Sequence, residues 1–156
     1  MGANPFWDFS LAVYGRPGVP AACLALQDRR GVDVNLLLFA AWAGLECAAG
    51  LSGDALSRID SAVSGWRDEV VLPLRALRRR AKAEDDAFYR RMKAAELEAE
   101  RVQQDRLFAA ATVAGLAPRP GGGMALAAAN MALLVPGGDP ALEELAGQLA
   151  ARPAGE

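Results

Sequence analysis

Hydrophobic and polar positions recur along this chain with a helical period almost from end to end. Between Val34 and Leu51 only Asn35 and Glu46 are strongly polar, which predicts the most deeply buried helix of the protein there. Asn35 and Glu46 are eleven residues apart and return to nearly one angle of that helix, with Trp42 between them. One edge therefore carries Asn35, Trp42 and Glu46, either as a solvent margin or as a polar seam against another helix.

The turn before it is short and each residue has a physical reason. Gly31 suits the left-handed residue that closes a helix, Arg29 and Arg30 suit its negative end, and Asp33 suits the N-cap of the next helix. A connection this short makes the two helices antiparallel neighbours. Asp28 is the exception, because a carboxylate in a last helical turn meets free carbonyls of like sign. We expect an arginine from Trp66–Arg80 to compensate it, namely Arg67, Arg75 or Arg78, with Asn35 completing the cluster.

Elsewhere, Asn4-Pro5 opens a helix to Tyr14 whose apolar residues go round most of its circumference, so it is expected to be wedged between other elements. A helix from Ala55 runs towards Pro73, which must kink or restart it. Residues 84–114 hold no Gly or Pro and predict one continuous helix, with a heptad-like stripe of Phe88, Met92, Ala95, Ala99 and Val102. Residues 116–123 read as a flexible Pro/Gly loop, with Gly121-Gly122-Gly123 as a hinge. Two short helices follow, Met124–Leu134 and Pro140–Ala151, the second capped by Asp139. No strand pattern competes. The expectation is an all-α, single-domain antiparallel bundle: a core over 4–115, the loop 116–123, and a C-terminal helical segment over 124–151 packed on the same domain.

Composition narrows the class. With 156 residues, 53% hydrophobic and 23% charged, the chain is long and apolar enough to build a core without staples. A net charge of −2 speaks against a dedicated nucleic-acid binder. Fifteen arginines against two lysines suit a GC-rich bacterial genome. Cys23 and Cys47 would stand about 9 Å out of register across the hairpin, too far for a disulfide and in keeping with buried thiols in a reducing cytoplasm. The N-terminus lacks the pattern of a signal peptide, and the 34–51 run lacks the belts of a membrane span, so the expected location is cytoplasmic.

Candidate chemistry is limited. There is no histidine, which removes histidine-based triads, metal sites and general acid–base catalysis; no metal or other cofactor is expected. The glycine run lacks the Lys-Ser/Thr of a phosphate loop. Arg75–Lys93 holds eight basic and three acidic residues, a basic stretch that usually marks a solvated face.

The stretch FWDFSLAVYGRPGVPAACLALQDRRGVDVNLLLFAAWAG resembles the opening of a proteobacterial family of uncharacterised small helical proteins. WRDEVVLPLRALRR and KAAELEAERVQQ resemble its later blocks, so the likeness covers roughly residues 6–110. It implies a small soluble helical protein and carries no activity. Two readings stand. The favoured one is a non-enzymatic accessory protein that uses a helical surface to bind a protein partner or itself, motivated by the narrow apolar stripe of the long helix. The alternative is a pocket protein or enzyme that takes a small anionic ligand with Arg67, Arg75 or Arg78 near Trp42 and Trp66. The candidate binding residues are Asp28, Asn35, Trp42, Glu46, Trp66, Arg67, Arg75 and Arg78.

Overall fold

In the computed structural model, which describes residues 4–151, the described residues are helical with short connections and contain no strand. Helix α1 (Pro5–Tyr14) starts where Asn4 accepts from the Trp7 amide at 3.1 Å. The Asn4 amide also donates to Asp105 at 2.8 Å, tying the start of the chain to the long helix. Phe6, Ser10 and Val13 of α1 are buried and Phe9 packs on the core, so α1 is set against α2, α3 and α7 as expected, while Leu11 and Tyr14 stay exposed on its outer side.

Helix α2 (Val19–Arg30) ends at Gly31, whose φ of 63° is the left-handed conformation expected there. Asp33 then caps α3 (Val34–Leu45), accepting from the amides of Asn35 and Leu36. Every residue of α3 from Asn35 to Gly44 is buried. Phe39 and Trp42 meet Phe6 with ring centroids 5.6 Å apart in each case, and Trp42 meets Phe108 at 6.0 Å. These edge-on and tilted packings suit aromatic quadrupoles and centre the core on α3.

After α4 (Gly53–Ser61) and the single turn α5 (Ser64–Trp66), the chain takes a π-turn over Arg67–Val71, with the Leu72 amide bonded to the Arg67 carbonyl. Pro73 has no amide to give and its ring crowds the carbonyl four residues back; a widened turn just upstream lets the helix restart as α6 (Leu72–Ala81). Helix α7 runs unbroken over Asp86–Val113, capped by Asp85. Its first half packs against α6 and leaves Phe88 of the apolar stripe exposed, while its second half delivers Leu107 and Ala111 to the core.

The 116–123 loop is stitched rather than free. Arg119 donates from its amide to the Glu46 carbonyl at 2.8 Å and from Nε to the Cys47 carbonyl at 3.1 Å; the Gly123 amide donates to the Gly44 carbonyl at 3.2 Å. A Cβ on Gly122 would lie 2.1 Å from the Leu45 carbonyl oxygen, so the glycine serves close approach and not a hinge. Helix α8 (Met124–Ala132) packs along α3, where a Cβ on Gly44 would meet the Ala127 amide at 2.4 Å. Asn130 of α8 holds the exit of α3, donating to the Ala40 and Ala49 carbonyls and accepting from the Leu51 amide. Helix α9 (Pro140–Ala150) covers α2, and Arg29 reaches its Asp139 cap at 2.6 Å. Cys23 and Cys47 are free, buried thiols, each pushed by burial up to about 11.

Candidate functional site

Asp33 uses both its oxygens. Oδ1 caps α3, while Oδ2 accepts from Gln103 Nε2 at 2.6 Å and from Arg67 Nη1 at 3.1 Å. Gln103 is fully buried and its carbonyl takes Asn35 Nδ2 at 3.0 Å; Gln104 returns a bond to Asn35 Oδ1 at 2.9 Å. Asn35 therefore sits in a polar seam between α3 and α7 that continues outward to Arg67. Arg67 is shared by three carboxylates: Asp33, Asp60 at 2.6 Å and Asp68 at 3.4 Å. Burial works against its charge, but the bonds from Asp60 and Asp33 outweigh it and hold the guanidinium protonated beyond its ordinary range.

This outer end opens into a cleft of about 510 Å³ between the α2–α3 turn, the π-turn and α7. Its walls mix Asp33, Arg67 and Arg75 with Leu36, Val71 and Leu134. A second hollow of about 320 Å³, lined by Gln27, Asp28, Leu72, Arg75, Ala76 and Arg79, adjoins it through the shared Gln27, Leu72 and Arg75. Together they form a groove between α2 and the α6–α7 hairpin.

Beside it, from Arg75 outward, the hairpin is held by ion pairs. Arg75 donates to Glu96 at 3.1 Å and to Glu100 at 3.2 Å, and Arg78 donates to the other oxygen of Glu96. Glu96 thus has two arginines, whereas Glu100 shares its one. Burial and the neighbouring Glu96 charge lift the Glu100 carboxyl above its ordinary 4.5, against the pull of Arg75. Tyr14 lies within electrostatic reach of Glu100, Arg75 and Glu96, which brings the end of α1 to the same bank.

The expected site residues separate into several environments. Arg67 and Arg75 line the first cleft, and Arg75 and Asp28 line the second. Asp28 does find an arginine, but it is Arg79 at 3.3 Å; the side chains are 53% and 50% exposed, and Arg67, Arg75 and Arg78 are held by other carboxylates. Asn35 serves the α3–α7 seam instead of Asp28. Trp42 belongs to the aromatic core, and Glu46 turns to solvent at the end of α3. Trp66 donates to the Ala99 carbonyl at 2.9 Å, carries the Arg106 guanidinium 4.5 Å over its ring and lines neither hollow. The residues that sequence reasoning passed over are Asp33 beyond its capping role, Asp60, Gln103, Gln104, Glu96 and Glu100. Gln103-Gln104 follow Val102, the last residue of the apolar stripe, and their spacing held no sign that both would be buried.

Residues 5–107 match the family model described as Protein of unknown function (DUF2390). The chain belongs to this family. No curated protein and no solved structure matches it. The matched region holds the whole Asp33–Arg67–Gln103 network, α2, α6 and most of α7, whereas the end of α7, α8, the cleft residue Leu134 and α9 lie beyond it. Among the described residues, no single helix is long and apolar enough to cross a membrane.

Proposed function

We propose that the protein is a non-enzymatic association module whose working surface is the groove between α2 and the α6–α7 hairpin, shaped to receive a helical segment. The observation that carries this is the gathering of exposed apolar side chains on its banks. Leu72 and Leu24 are 43% and 50% exposed, and Leu24 stands one turn before Gln27 and Asp28 on the same face of α2. Leu97, one turn from Glu100 on α7, is 54% exposed. Apolar banks around a charged floor are what an amphipathic helix laid in a groove requires.

The arginines speak against an anionic small-molecule pocket. Arg67 already serves three carboxylates and Arg75 two, so an added anion would meet a surplus of negative charge. The test is site-specific photo-crosslinking in living cells, with a benzophenone side chain at position 24 or 72 and, as control, at Val113, which is 90% exposed. Discrete adducts from the groove positions and none from the control are expected. Equal labelling at all three, or none, overturns the reading.

A further inference from the structure

On α7, Lys93, Leu97 and Glu100 stand at i, i+4 and i+7, and so share one face of the helix. This face borders the groove, because Glu100 bonds Arg75, which lines both hollows. Leu97 at its centre is 54% exposed. The two charges that flank Leu97 are poorly matched within the chain. Lys93 is exposed and makes no ion pair among the described residues, unlike Arg90 and Arg101 on the same helix, which pair with Asp86 and Asp105. Among the described residues, Glu100 pairs with one arginine, Arg75, and shares it with Glu96.

We propose that the occupant of this surface is a second copy of the chain, docked so that the two α7 helices run antiparallel about a two-fold axis beside Leu97 and Lys93 of each copy meets Glu100 of the other. The identification rests on the association reading above. Antiparallel packing is the arrangement that matches these charges: about an axis near Leu97, a residue four before it faces a residue three or four after it on the other helix, once on each side. Parallel packing would set Lys93 against Lys93. A two-fold contact is self-complementary and is the commonest way for a protein to pair with itself. Leu97 would pack on its own counterpart, and Leu11 and Tyr14, one turn apart on α1, would extend the apolar contact. The Asp28–Arg79 pair on the opposite bank is already neutral and adds no repulsion.

The test is light scattering and sedimentation equilibrium on the full chain over a wide concentration range, expecting a species of twice 16.4 kDa. Lys93→Glu and Glu100→Lys each place like charges at both contacts and are expected to weaken the dimer by at least about tenfold. An equimolar mixture of the two variants pairs opposite charges at both contacts, so mixing is expected to restore a heterodimer near the original strength. Circular dichroism and melting check that each variant folds. Should Glu100→Lys fail to fold through loss of its Arg75 pair, Lys93→Glu against Lys93→Ala carries the test, since Lys93 is exposed and the charge reversal is expected to weaken the dimer more than truncation. A chain monomeric at every concentration, a dimer indifferent to Lys93→Glu, or variants that do not recover on mixing overturn the proposal. A monomeric chain whose position 24 still crosslinks to a different protein overturns the self-pairing alone and leaves the groove reading in place.

Discussion

Helix α3 enters the interior with no charged residue between Val34 and Leu45, while the contact of α6 with α7 is stitched by Arg75, Arg78, Glu96 and Glu100. The first region is held by dispersion and desolvation and by backbones close enough at Gly44 to touch Ala127. The second region has little apolar surface inside, keeps Leu72, Leu77, Phe88 and Leu97 exposed, and relies on charges that must be matched one by one. A dry helix tolerates no change in volume but is indifferent to pH and salt. A charge-stitched hairpin tolerates changes in shape but depends on which carboxylates are ionised. The region built by the second kind of physics is also the one that keeps large apolar side chains in solvent.

The largest effect that would break this contrast lies in α3. Leu38→Ala should cost about 2–5 kcal/mol as a core truncation, read as a fall in melting temperature. An unchanged melting temperature would show that α3 is not the centre. Gly44→Ala should cost about 1–3 kcal/mol by overpacking, since the added carbon would meet the α8 backbone, and chemical denaturation measures it.

On the charged side the effects are smaller and their signs carry the information. Asp33→Asn keeps the cap through its oxygen but puts an NH2 donor where Oδ2 accepts from Arg67 and Gln103, and a loss of at least about 1.5–3 kcal/mol in urea unfolding is expected for a lost hydrogen bond to a charged group at this partly buried site. Glu100 has its carboxyl raised above 4.5 in the folded chain, so its contribution favours folding below that pH and is lost as pH rises through the folded value. Glu100→Gln should therefore remove a fall in stability on going from about pH 4.5 towards neutrality, seen as a flatter curve of melting temperature against pH than the unaltered chain shows. Asp139 runs the other way: its amide bond from Ala141 and its contacts with Arg29 and Arg30 hold its carboxyl low, and its contribution fades as pH falls. Smallest of all, Asp28→Ala should change stability by less than about 1 kcal/mol, because the Arg79 pair is half exposed.

The helices, their caps at Asn4, Asp33 and Asp139, the left-handed Gly31, the restart at Pro73 and the burial of α3 were legible in the sequence. Each depends on residues within one or two turns of each other, and local sterics and hydrogen bonding decide them before any distant contact forms. The candidate site was legible only in part. An arginine for Asp28 could be inferred from its position against the α2 carbonyls, but five arginines on α6 and the π-turn answer the same description, and which one reaches it depends on how the hairpin is rotated against α2. The pairing of Asn35 with Gln103, the sharing of Glu96 by two arginines and the approach of Gly122 to Leu45 join residues 68, 18 to 21 and 77 positions apart. A pattern of apolar and polar positions says which face of a helix turns inward. It is silent on which polar group of one inward face will stand opposite which of another, because that is set by helix crossing angle and axial register, and these come from the packing of the whole bundle.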